Sequence, residues 1–243
     1  MMLSRLEMAE IYQFNIARRN ALVEMAHKNC SSPVQKLEFV VNYFLNNLPI
    51  EIIAEIDGVS PDKVLPFEYD YSFLQGNNEQ FTRDQKVRPY APGKYAISIS
   101  HADNDVRVKP AIPIYPSVYT SKMATCIMFA CEIQRFAVDF GLDMKIVNKF
   151  ANCYDFYSGK TSENQPLSTD RIINMLHYFN VVTIDGKEYK IDVAGALTAA
   201  DFNKNHPKQP IDLLKFYFNE NIEENPFDGH TISQGEPSQP QKP

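Results

Sequence analysis

The feature that most constrains the fold is HYFNVVTI–DG–KEYKIDV, residues 177–193, two alternating apolar and polar runs joined by Asp-Gly. Asp-Gly suits a two-residue type I′ turn, whose twist matches that of paired strands. With that turn, Ile184 faces Lys187, and continuing the register sets Phe179 opposite Asp192 and His177 opposite Ala194. Side chains alternate faces with a period of two, so His177, Phe179 and Asp192 are expected on one face. Diagonal neighbours lie roughly 7–8 Å apart, a gap that an imidazole and a carboxylate bridge. The hairpin therefore pairs a base with an acid that can orient it.

Upstream, TCIMFACEIQRFAVDFG reads as a buried helix. Phe129, Ile133, Phe136, Ala137 and Phe140 share a face, and Gly141 stops the helix. Cys126 sits where the polar segment YTSKMAT gives way to this helix. Unpaired N–H groups in a first helical turn favour a thiolate and can hold an oxyanion. A thiol near an imidazole that a carboxylate orients is the general arrangement for covalent acyl transfer.

SKMATCIMFACEIQRFAVDFGLDMKIV and LHYFNVVTIDGKEYKIDVAGAL together resemble the transglutaminase-like superfamily of cysteine enzymes, over residues 121–196. The fifteen-residue step from His177 to Asp192 is part of that resemblance. It implies an α+β, papain-like fold with a nucleophile helix packed on an antiparallel sheet. It also implies Cys126 as nucleophile, His177 as general base and acid, and Asp192 as orienter. The chain departs from the family pattern in several places. Met123, Ala124 and Thr125 stand where glycines are common, Phe179 stands where a Trp is common, and Val-Ala-Gly follows Asp192 instead of Pro-Thr. The step from Cys126 to His177 is far shorter than the ~130 residues of the papain and cathepsin group.

The rest of the chain is expected to form a single domain over 1–224, with N-terminal helices, a Pro-rich insertion at about 50–120 and a disordered tail from 225 to 243. Residues 1–30 read as helical. In SSPVQKLEFVVNYFLNNLP the apolar spacing predicts a helix with Ser32 as cap and Pro33 first. KYAISIS and VRVKP flank ADND as a possible hairpin, and MKIVNKF reads as a strand. YSGKTSENQPLSTD reads as a polar loop, RIINML as a short helix or the lead-in to a strand, and PIDLLKFYFNE as a late helix. FEYDYSFL is expected in the core or as a cleft wall.

Cys30, Cys131 and Cys153 are expected to be inert packing thiols. His27, His101, His206 and His230 are expected at the surface or in loops. No cysteine spacing suits a zinc site, so neither a metal nor a cofactor is expected. A net charge of −6 argues against nucleic acid as a partner. With no apolar run near the ~18 residues that span a bilayer, a membrane partner is not expected either. The absence of a signal-peptide pattern and the irregular cysteines suggest a cytoplasmic setting. A peptide or protein substrate is expected, and the oligomeric state is open. Hydrolysis of a peptide or amide bond is favoured over amine capture because water is always present. The alternatives are a transglutaminase or other acyltransferase, and a non-catalytic binding module of the same fold.

Overall fold

In the computed structural model, residues 5–71, 87–91, 94–97, 118–119, 122–160 and 166–232 are described. Helix α1 (Arg5–Asn29) leads into α2 (Pro33–Phe44), whose start is closed by a capping box. The Gln35 N–H donates to Ser32 Oγ at 3.2 Å, and Gln35 Oε1 accepts from the Ser32 N–H at 3.1 Å. Residues 50–57 are not part of an irregular stretch. IEIIAEID forms α3 (Ile50–Asp57) between Pro49 and Gly58, burying Ile53, Ala54 and Ile56.

Helix α4 (Cys126–Asp139) buries Phe129, Ile133, Phe136 and Ala137, as the spacing predicts, and Phe140 is buried just beyond its end. These residues pack with α1 and α2 in the larger apolar cluster, where Phe44 touches Phe67, Phe129 and Phe136 ring to ring. A short parallel pair, β1 (Glu68–Tyr69) with β4 (Met123–Ala124), delivers the chain to the start of α4. Lys122, just before β4, is buried. Its ammonium lies 2.8 Å from the Asp57 carboxylate and 4.1 Å from the centre of the Phe67 ring.

The main sheet is antiparallel, in the order β5 (Asp143–Lys160), β6 (Pro166–Ile184), β7 (Lys187–Ile191), β8 (Tyr217–Asn219). Helix α4 packs against β5 and β6, so the fold is α+β. Strands β5 and β6 pair without a register shift from Asp143↔Thr183 to Lys160↔Pro166. The expected polar loop is therefore mostly strand, and only 161–165 lie outside the described residues. RIINML is strand throughout. The Asp-Gly turn has the two positive φ angles of type I′, 51° at Asp185 and 77° at Gly186, and Ile184 pairs with Lys187.

Four further expectations need correction. The hairpin ladder ends at Asn180↔Ile191 and never reaches Phe179 opposite Asp192. Asp192 instead caps a helix absent from the sequence reading, α5 (Val193–Asn205). PIDLLKFYFNE is not a helix: a 3-10 turn (Leu213–Phe216) runs into β8, because the open edge of β7 supplies a hydrogen-bonding partner that overrides local propensity. Order also continues past Asn225, since Phe227 is buried against Phe202 and Phe216. Finally, KYAI (β3, Lys94–Ile97) pairs backwards with β2 (Val87–Ala91), and its expected partner VRVKP lies outside the described residues.

Candidate active site

The turn from β7 into α5 joins the two apolar clusters of the protein. Ile191, Val193 and Ala194 belong to the larger one, and Ala196 and Ala199 to a smaller one with Tyr154, Phe202, Phe216 and Phe227. Asp192 sits at that seam, 3% exposed. One of its oxygens accepts the Gly195 N–H at 2.8 Å, which caps α5. The same carboxylate meets His177 Nε2 at 2.9 Å (Oδ1) and 2.8 Å (Oδ2). His177 and Asp192 are thus brought together, although the acid reaches the ring from a helix cap and not from a strand ladder.

Gly195 is required for this close approach. A Cβ there would lie 2.6 Å from Asp192 Oδ2 and 2.6 Å from the Phe216 ring, far inside van der Waals contact.

Because Nε2 is engaged by Asp192, Nδ1 is the nitrogen left to face a thiol. Cys126 and Cys153 each contribute to raising the His177 pKa, after the larger effects of burial and Asp192. Cys126 is the first residue of α4 and 3% exposed. Thr125 precedes it without a side-chain cap, and the first helical bond runs from the Phe129 N–H to the Thr125 carbonyl. The N–H groups of the first turn are thus not consumed by a capping side chain.

Cys153, expected as an inert packing thiol, is buried and lines the crevice beside His177. The signal lay in strand parity: with Lys149 paired to His177, the odd positions of β5, Cys153 among them, share the face of His177. Reading 157–170 as a loop hid that register. Cys131 is half-buried and, like Cys30, does not line the crevice beside His177.

Two aromatic side chains enclose the group. Phe179, in the place of the common Trp, lies 6.4 Å from the His177 ring at an interplanar angle of 25°. The ammonium groups of Lys190 and Lys149 stand 4.9 and 5.6 Å from the Phe179 ring centre. Tyr69, from the expected cleft wall, is buried on β1. Burial raises its phenol well above the ordinary value, and charge on Cys126 and Cys153 pushes in the same direction. The crevice itself has a volume of only about 10 Å³, space for one water. Cys153, His177, Phe179, Lys190, Asp192 and Phe227 are among its walls.

Burial is the largest influence on His177 and works to lower its pKa. The Asp192 charge and the hydrogen bond to its carboxylate, with smaller contributions from Cys126 and Cys153, outweigh it and hold His177 well above its ordinary value. For Asp192 burial again opposes ionisation, but the His177 charge and hydrogen bond, the Lys190 charge and the Gly195 N–H leave its pKa lowered. Each partner thus favours the charged form of the other.

The other described histidines do not approach this group. His27 packs edge-on against Phe140, His206 lies 3.1 Å from Asp170, and His230 packs on Phe202. His101 lies outside the described residues. Among the described residues no cluster of His, Cys, Asp and Glu has the make-up of a metal site, and no helix is long and apolar enough to cross a membrane. Comparison with known proteins finds no matching family model, curated protein or solved structure.

Proposed function

We propose that the protein is a cysteine-dependent acyl-transfer enzyme of transglutaminase-like, papain-like type, hydrolysing a peptide or amide bond through Cys126, His177 and Asp192. The observation that carries this reading is the His177 imidazole held at 2.8 Å by the buried Asp192 carboxylate, with Cys126 buried at the first turn of a helix whose N–H groups no side chain caps. In the reaction, the Cys126 proton resides on His177 and the sulfur attacks the substrate carbonyl. First-turn N–H groups of α4 receive the charge that develops on the carbonyl oxygen. His177 then protonates the departing amine, leaving a thioester on Cys126. Water, deprotonated by His177, releases the acid. Capture of the same thioester by an amine makes the enzyme a transglutaminase. The partner on this reading is a peptide or protein, and four free cysteines suit a reducing cytoplasm.

One observation favours a second reading, a binding module without catalysis. Cys126 is 3% exposed, and the crevice beside His177 has room for only about one water. Alkylation separates the two. The full chain is treated with iodoacetamide near neutral pH and the adducts are mapped, with Cys126→Ala as control. An activated site alkylates Cys126 faster than the same thiol reacts in the denatured chain. A rate at or below the denatured one sinks the enzymatic reading in favour of the module.

A further inference from the structure

The crevice beside His177 has room for only about one water, whereas a peptide needs an open groove, so one of its walls must yield. Most of the walls belong to β5, β6, β7 and the start of α5, which backbone hydrogen bonds hold in place. The wall that supplies Asn225 and Phe227 is different: it is the segment 220–232, which follows β8. Its backbone closes turns within itself, with the Glu224 N–H donating to the Asn221 carbonyl at 3.2 Å and the Asp228 N–H to the Asn225 carbonyl at 2.9 Å. Side chains fasten it to the sheet, and the fastenings run across the strands. The Lys190 ammonium on β7, 3% exposed, donates to the Glu224 carbonyl at 2.9 Å. Lys149 on β5 meets the Glu223 carboxylate at 3.0 Å, and Asn225 donates to the Asn152 carbonyl at 3.0 Å. Beyond these contacts, Phe227 fills an apolar socket against Phe202 and Phe216.

A groove reads a bound peptide in this way, with charge for acidic side chains, a donor for the main chain and a socket for one ring. We propose that residues 223–227, Glu-Glu-Asn-Pro-Phe, are an internal occupant of a peptide groove, and that its external ligand is an acidic peptide with an aromatic residue shortly after its carboxylates. Naming that peptide as the substrate rests on the acyl-transfer reading, whereas its binding does not. The Glu223 side chain is 86% exposed, so its pair with Lys149 is weak and screened by salt. The tether nonetheless gives the internal segment a high effective concentration. An external peptide therefore enters as the segment lifts, and the crevice beside His177 opens with it.

The test is fluorescence anisotropy with a labelled peptide, IEENPFDGH, titrated into the full chain at low salt. The double variant Glu223→Ala with Asn225→Ala loses two fastenings, and it is expected to bind the peptide at least about tenfold more tightly than the wild type. Adding Lys149→Glu to that variant removes the gain, as does replacing both peptide glutamates by lysine. Urea unfolding checks the fold of each variant. Should the double variant not fold, amide exchange of the wild type decides: excess peptide speeds exchange at Glu224 and Asp228 and leaves the β5–β6 ladder protected. Equal binding to wild type and double variant, binding to neither, equally tight binding of the lysine peptide, or exchange unchanged by peptide overturns the inference. Failure here with a fast-alkylating Cys126 rejects this ligand and keeps the enzyme. Peptide binding with an unreactive Cys126 keeps the groove and rejects catalysis.

Discussion

Asp192 serves two groups at once, the His177 ring and the first turn of α5, and substitutions can divide these roles. Asp192→Asn keeps an oxygen for the Gly195 N–H but removes the charge that raises the His177 pKa. Its alkylation rate at Cys126 is expected to fall by about 10²–10⁴, by analogy with triads that lose the orienting carboxylate, with only a modest loss of stability. Asp192→Ala removes cap and charge together, and urea unfolding should show a loss approaching the ~3–5 kcal/mol of a broken buried pair. Equal stability in the two variants would contradict the double role.

The pair also sets a pH window. His177 is raised above 6.5, so its stabilisation is complete below that value and is lost as pH rises through the raised folded pKa. Asp192 is lowered below 3.8, so its stabilisation is complete above that value and is lost as pH falls through the lowered folded pKa. The pair therefore contributes most between 3.8 and 6.5. Melting temperature measured against pH should decline on both sides, and Asp192→Asn should remove the acid limb assigned to this pair.

At the scale of elements, the seam between β7 and α5 tolerates no added bulk. Gly195→Ala drives a methyl into Asp192 and Phe216 and should cost about 1–3 kcal/mol as overpacking. Because the methyl meets the carboxylate itself, Cys126 alkylation should slow as well, and unchanged alkylation would show that Asp192 is not displaced. Lys122 anchors the approach to α4 in a different way. Lys122→Met leaves Asp57 buried without its ammonium and should destabilise by about 3–5 kcal/mol, whereas Lys122→Met with Asp57→Asn should recover much of that in the same unfolding assay.

The elements also show what sequence can disclose. Capping residues, the Asp-Gly turn and the apolar stripe of α4 are local signals, and each appears where its chemistry predicts. Helix α5 was missed because Asp192 looks like the continuation of a strand until the helix it caps is seen. Strand β8 was missed because its partner, the edge of β7, is distant in sequence. His177 with Asp192 was legible through hairpin proximity. Cys153 was not, because its place depends on the register of β5 and β6 across an unassigned connection.

For the whole molecule, the C-terminal segment acts as a strap over the smaller apolar cluster and the crevice. Asn225 donates to the Asn152 carbonyl at 3.0 Å, Lys190 donates to the Glu224 carbonyl at 2.9 Å, and Phe227 is 2% exposed. Phe227→Ala should cost about 3–5 kcal/mol in urea unfolding. It should also widen the crevice, so that alkylation of Cys153 accelerates as stability falls. A variant that loses stability with no gain in thiol access would place Phe227 in the core alone.

The turn from β7 into α5 also bears on descent. A gene copy released from all chemistry would still lose a helix cap and a buried ion pair if Asp192 changed, so selection for folding alone preserves it. Cys126 has no such second duty, since a small residue such as alanine would fill the same helix start. Relaxed lineages should therefore shed the sulfur first and the carboxylate last, leaving His177 and Asp192 as the durable trace of a vanished trade.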